Sequence, residues 1–183
     1  MVRTDIASIW NNRSRIRFRC AGSGRIETGL PEVSYEQPEP CAVLGPREIE
    51  RRVLQTTDFA IMDGRRYFVR AALLAPIIGY AEHFRWAVWI EVSWTSFKSY
   101  FEAYEDEDNT NLPPFSGRLV SRLDGFSRTM GLAGTAHPRA LSERPHFILK
   151  SRTHPLALAQ NLGITPQQAV SQAQGVGVLL MVA

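Results

Sequence analysis

The stretch Asp58-Phe-Ala-Ile-Met-Asp-Gly-Arg-Arg-Tyr-Phe-Val-Arg-Ala-Ala-Leu-Leu74 decides the fold. Two apolar runs, 59–62 and 67–74, flank Asp63-Gly64. Asp-Gly in that setting marks a type I′ turn, whose central residues both need positive φ, and it predicts an antiparallel hairpin. Pro76 stops the return strand by withholding a donor and fixing φ. Downstream, WAVWIEVSW at 86–94 reads as a third strand. Trp86 and Trp94 are in phase and Trp89 is not, so both faces carry large apolar groups, as in a central, mostly buried strand.

Thr95 or Ser96 can cap a helix through Tyr104, with Phe97, Tyr100, Phe101 and Tyr104 at i, i+3, i+4 and i+7 as its apolar face. An acidic run and Pro113-Pro114 end that element. Further strands are expected near 117–123, 129–135 and 146–150. Two short helices, 154–162 and 165–174, are separated by Gly163. Upstream, the Gly- and Pro-rich residues 21–46 read as mostly loop, and a short helix from Pro46 to Leu54 has proline in its first turn. Hairpin-linked strands with helices inserted between them predict an α+β fold, a single domain with a mainly antiparallel sheet and a few short helices. Residues 1–12 form an N-terminal extension, 13–174 the domain and 175–183 a C-terminal tail. No internal repeat is visible.

Composition agrees with one globular domain. The 183 residues are 44% hydrophobic and 21% charged, which excludes a disordered chain. The formal charge of +3 is local rather than general. Residues 1–25 hold six arginines against one Asp, while Glu102, Glu105, Asp106, Glu107 and Asp108 concentrate negative charge within 102–108. Two cysteines, Cys20 and Cys41, suit a reduced compartment and no disulfide framework. The first residues lack the apolar run of a signal peptide, and 176–183 falls far short of the roughly 20 residues that span a bilayer. A soluble cytoplasmic protein without membrane contact is expected.

Motifs with dedicated chemistry are missing: the sequence has no nucleophile elbow, Walker loop, dinucleotide fingerprint or paired-histidine metal motif. Gly22-Ser-Gly24 is followed by Arg25 and no helix with a lysine, which makes a poor phosphate cradle. His83, His137, His146 and His154 are scattered. The segment 156–170 has helix-turn-helix spacing, but no Arg or Lys occurs from Thr165 to Ala183 to grip phosphate, so two packed helices are expected. Arg13, Arg15, Arg17 and Arg19 alternate with Ser14, Ile16, Phe18 and Cys20, which puts four guanidinium groups on one strand face. They can contact an acidic partner or guard an edge strand, and the edge strand is the favoured reading. Glu105, Asp106, Glu107 and Asp108 make the complementary candidate contact. Arg70 lies inside an apolar strand and, if buried, calls for a carboxylate. Asp58, Arg70 and His154 therefore form a candidate polar pocket.

The order of motifs resembles a bacterial family known as domain of unknown function 2199. The matching pieces are Cys20 with Gly24, Gly29-Leu30-Pro31, Asp58, Tyr67-Phe68-Val69-Arg70 with Pro76-Ile77, Phe84-x-Trp86-x-Val88-Trp89, Pro114-x-x-Gly117, Arg144-Pro145, and His154-Pro155-Leu156-Ala157. They span roughly residues 18–170 and imply one domain without an assigned activity. Family members resemble C-x-x-C-G-x-x-H near the N-terminus, half of a zinc site. Here Cys20, Ser23, Gly24 and Glu27 stand at those positions, so a thiolate and an imidazole are missing and no metal is expected. No cofactor is implied.

Segregated charge without catalytic motifs favours a non-enzymatic module that binds another protein, of the antitoxin or immunity-neutraliser type. The alternative is a small enzyme of unassigned class working through Asp58, Arg70 and His154. Nucleic-acid binding through the arginine-rich strand ranks third.

Overall fold

In the computed structural model, which describes residues 16–19, 24–28, 31–104, 111–140, 143–174 and 179–182, Asp63 and Gly64 have φ of 55° and 65°. The Arg65 amide donates to the Met62 carbonyl at 3.2 Å, closing the type I′ turn. In chain order the elements are β1 (Ile16–Arg19), β2 (Ile26–Thr28), β3 (Val33–Ser34), α1 (Glu39–Ala42), α2 (Pro46–Arg52), β4 (Val53–Gln55), β5 (Phe59–Met62) and β6 (Arg66–Pro76). They continue as β7 (His83–Val92), α3 (Trp94–Tyr104), β8 (Phe115–Leu119), β9 (Ala133–His137), β10 (His146–Leu149), α4 (Pro155–Leu162), α5 (Pro166–Gln174) and β11 (Leu179–Val182).

The fold is α+β, and its main sheet closes on itself. β6 and β7 pair antiparallel along their whole length, from Tyr67 opposite Val92 to Pro76 opposite His83. Each long strand then divides its outer edge between two partners. β6 gives its first half to β5 and its second to β10; β7 gives its first half to β3 and its second to β8. Because β8, β9 and β10 also pair in series, β6 to β10 form a five-stranded barrel. Two pairings, β10 with β6 and β3 with β7, are parallel, so the sheet is mixed although most of its ladders are antiparallel. Gly134 makes β9 thin where the Phe147 ring crosses it: a Cβ there would stand 2.7 Å from the Ile148 carbonyl oxygen and against that ring.

Alternation along β7 sorts the core into two layers. Trp86, Val88 and Ile90 belong to the larger apolar cluster with Phe84, Phe147 and Leu156. Trp89 belongs to the second, with Phe68, Met62, Ala60 and Cys41, where α1 covers the sheet. Both tryptophans are fully buried, on opposite faces as their phase requires.

Several boundaries differ from expectation. β7 starts at His83 and ends at Val92, and the helix begins with Trp94, because Ser93 is its cap: the Ser96 amide donates to the Ser93 hydroxyl at 3.1 Å and the Phe97 amide to its carbonyl at 2.9 Å. Thr95 and Ser96 fall inside the first turn. β8 ends at Leu119 and β9 starts at Ala133, because the intervening chain folds into a turn held by Thr129, whose hydroxyl donates to Ser121 O and accepts from the Leu123 amide. The loop expected over 21–46 contains β2, β3 and the one-turn α1. β1 is no edge strand: it lies between β2 and β11, so the terminal segment 179–182 pairs with it in a separate three-stranded sheet.

Candidate functional site

Arg70 is opposite Trp89 in the β6–β7 ladder, so both project to one face, with the guanidinium carbon 5.6 Å from the indole centroid. The residue is only 8% exposed, and a charge that deep demands partners. It finds neutral ones. Nη1 donates to Thr57 O at 3.1 Å, and Nη2 donates to Tyr35 O at 2.9 Å and to the Ser34 hydroxyl. The indole of Trp89 donates to the same Tyr35 carbonyl at 2.9 Å. Nε is buried with no partner. Burial, and then the neighbouring Arg144 charge, push the Arg70 pKa below the usual arginine value.

The carboxylate expected for Arg70 turns elsewhere. Asp58 accepts the Arg70 backbone amide on its carbonyl at 2.8 Å, but its Oδ1 takes the Arg144 Nε–H at 2.6 Å and its Oδ2 the Tyr104 hydroxyl at 3.4 Å. Arg144 also donates through Nη1 to Glu32 Oε1 at 2.8 Å, and the other Glu32 oxygen lies 3.8 Å from Arg85 Nε. Burial opposes the Arg144 charge, but the bonds to Asp58 and Glu32 outweigh it and raise its pKa. Pro145 places this arginine: its carbonyl accepts the Ala72 amide at 2.9 Å and docks the segment before β10 against β6. Together with Tyr100 and Glu143, these groups line a cleft of about 290 Å³.

His154 is not part of it. Its Nδ1 accepts the Leu156 amide at 3.1 Å and caps α4, which leaves Nε2 to donate to Ser127 O at 2.9 Å. The structure thus brings Asp58 and Arg70 together and assigns His154 to a helix end. Arg17 and Arg19 occupy β1, the middle strand of the small sheet, and Glu27 is in β2. Arg13, Arg15, Cys20, Ser23, Glu105, Asp106, Glu107 and Asp108 lie outside the described residues. Among the described residues no group of three or more His, Cys, Asp and Glu is placed to hold a metal, and no helix is long and apolar enough to cross a membrane.

The sequence reading missed Glu32, Arg85, Tyr100, Tyr104, Glu143 and Arg144. Arg144 carried a signal, since Arg144-Pro145 is one of the recurring motifs. The two tyrosines were hidden in the helical apolar stripe of α3.

That stripe departs from the expected pattern. Phe97 and Tyr100 are buried, but Phe101 is 42% and Trp94 52% exposed. Trp94, Phe97 and Phe101 follow one another along the helix as a stacked series, with interplanar angles of 20° and 8°. Phe59 holds the series from below, with ring centroids 5.0 Å from Phe101 and 5.1 Å from Tyr104. Tyr67 abuts Trp94 at 4.9 Å. In the adjoining ladder Tyr67 is opposite Ile61, and Ile61 is opposite Leu54, which is 74% exposed on the terminal strand β4. The outcome is an apolar ridge from Leu54 to Phe101, and Asp58 and Tyr104 form the seam between ridge and cleft.

Fold and site define a small α+β barrel protein with a charge-paired cleft beside an exposed aromatic ridge. The family described as an uncharacterized protein conserved in bacteria, DUF2199, matches residues 19–164, and the chain belongs to that family. No curated protein and no solved structure matches.

Proposed function

We propose that the protein is a non-enzymatic module that binds another protein through the ridge of Leu54, Ile61, Tyr67, Trp94 and Phe101. The observation that carries this reading is the mutually stacked Trp94–Phe97–Phe101 series, in which a buried Phe97 backs the half-exposed Trp94 and Phe101. Large aromatic side chains held rigid by their neighbours are the anchors that dominate interface energetics, since little conformational entropy is lost when a partner covers them. The chain continues directly from Tyr104 into Glu105-Asp106-Glu107-Asp108. The fitting partner therefore offers an apolar pocket with a basic rim, and complementary charge supplies orientation and association rate. A neutraliser of the antitoxin or immunity type needs such a surface and no chemistry of its own. The arrangement around Asp58 supports the same reading: its carboxylate is engaged by Arg144 and by the Tyr104 hydroxyl.

The test is capture from a bacterial lysate by the wild-type chain, by Trp94→Ala/Phe101→Ala, and by Leu162→Ala on α4 as a surface control. A stoichiometric protein retained by wild type and control, and weakened by about 30-fold or more in the double variant, is the expected result. Equal capture by all three chains would overturn the proposal.

A further inference from the structure

Strand register brings Arg118 and Lys150 to one face of the barrel. Arg118 is opposite Glu91 on β7 and opposite Ala133 on β9. The Lys150 amide donates to the Ala133 carbonyl at 2.9 Å and extends the β9–β10 ladder by one residue. Residues opposite one another across a ladder project to one side, so Glu91, Arg118, Ala133 and Lys150 form a row. The row faces outward, since the alternating residues Ile90, Leu119 and Leu149 enter the core. Its two exposed cations are two strands apart, about 10 Å between backbones. Only the methyl group of Ala133 lies between them. Ser93 and Ser116, two positions along the chain from Glu91 and Arg118, share the same face, and these six residues border a cavity of about 390 Å³.

The cavity is electropositive. Its carboxylate, Glu91, is already compensated: Arg66 donates to both of its oxygens, at 2.7 and 2.8 Å. Arg118, although in register with Glu91, donates instead to the neutral Gly131 carbonyl at 3.2 Å. Among the described residues neither Arg118 nor Lys150 makes an ion pair, and the Lys150 ammonium and the Ser116 hydroxyl make no hydrogen bond. Two positive charges and a hydroxyl donor therefore border one space, and the carboxylate beside them is neutralised from outside it.

We propose that this cavity binds the phosphate group of a small phosphomonoester, held by the Arg118 guanidinium, the Lys150 ammonium and the Ser116 hydroxyl. A phosphomonoester loses its second proton near pH 6 and is close to a dianion at neutral pH, which matches two cations. A carboxylate or a phosphodiester carries one negative charge and leaves one cation unmatched. The guanidinium offers a planar pair of donors to two phosphate oxygens, and the ammonium a mobile point charge for a third. The volume of about 390 Å³ leaves room for a short carbon body beside the phosphate. The site shares no residue with the cleft or with the ridge, and it stands if the ridge reading fails.

The experiment follows the Ala133 and Gly134 amide resonances of the ¹⁵N-labelled full chain at pH 7.5 during titration with glycerol 3-phosphate. Dimethyl phosphate, sodium acetate and sodium chloride at matched ionic strength serve as comparisons. Glycerol 3-phosphate is expected to shift both resonances saturably, with a Kd of about a millimolar for a ligand of so few atoms. Lys150→Met and Arg118→Gln, both at exposed positions, should each weaken it by about tenfold, the worth of one charge-assisted hydrogen bond. Ser116→Ala should weaken it by about threefold. Arg152→Gln, an exposed arginine outside the cavity, should leave the titration unchanged and separates a built site from general surface charge. The proposal is overturned by the absence of a saturable shift, by equal affinity in Lys150→Met or Arg118→Gln, by an equal loss in Arg152→Gln, or by dimethyl phosphate, acetate or chloride binding as tightly.

Discussion

The cleft and the ridge share Asp58 and Tyr104 at their seam, yet they are stabilised in opposite ways. The cleft is polar and closed on itself: Arg144 joins Asp58 to Glu32, and Arg70 is held by backbone carbonyls. The ridge is apolar and open, its rings supported from below by Phe59 and left bare above. Polar groups of the first kind specify the fold because each demands a particular partner. Apolar groups of the second kind are tolerated by the fold and gain from being covered. Stability should accordingly reside in the cleft and recognition in the ridge.

The sharpest way to break that contrast is at Arg70. Arg70→Ala removes the layer over Trp89, leaves Thr57 O and the Ser34 hydroxyl without this donor and Tyr35 O with only the Trp89 indole, for an expected loss of about 3 kcal/mol in urea unfolding. Arg70→Met keeps the length, removes the buried charge and should cost at least about 1 kcal/mol less than alanine. Equal losses would mean that the charge itself is indispensable.

Arg144→Gln comes next. It frees two partly buried carboxylates at once, and an unfolding loss of about 2 kcal/mol is expected. For contrast, the ridge variant Trp94→Ala/Phe101→Ala should lose about 1 kcal/mol or less, since both side chains already face water. A ridge variant less stable than Arg144→Gln would reverse the comparison.

The smallest effect is alkaline. Burial raises the pKa of Tyr100, and burial together with Asp58 raises that of Tyr104; Tyr35, beneath Trp89, is pushed up to about 12 by burial and then by Asp124. An unfolded tyrosine loses its proton near pH 10, before these do, so the unfolded state then binds fewer protons and stability falls as pH rises above about 10. Urea midpoints compared on either side of that pH should show the decline, and Tyr100→Phe should make it shallower. An identical slope in the variant would remove Tyr100 from the account.

Local chemistry carried much of the fold into view. Asp63-Gly64 announced its hairpin because the turn needs two positive φ values. His154-Pro155 and Gly163 marked the ends of α4 for reasons confined to a few residues. Barrel closure was not legible, since nothing in the alternation of β6 or β7 states that each will divide its outer edge between two partners. The site was half legible. Arg70 stood out as a charge in an apolar strand, and Asp58 stood near it across a hairpin. The true partner of Asp58 comes from 86 residues away, and that arginine's other acceptor, Glu32, is 112 residues from it. His154 misled because a polar residue before a helical proline serves equally well as a cap and as a catalytic base.

The divided edges of β6 and β7 also carry a consequence for the order of assembly. The β5–β6–β7 meander joins chain neighbours through short turns and can form early at little loop-closure cost. The parallel contact of His146 with Ala72 must wait until β8 and β9 have crossed the barrel, so it is the seam that shuts last. Arg144 rides on that seam beside Pro145. The cleft therefore does not exist until the barrel is closed, and the bonds of Arg144 to Asp58 and Glu32 mark completion of folding rather than its beginning.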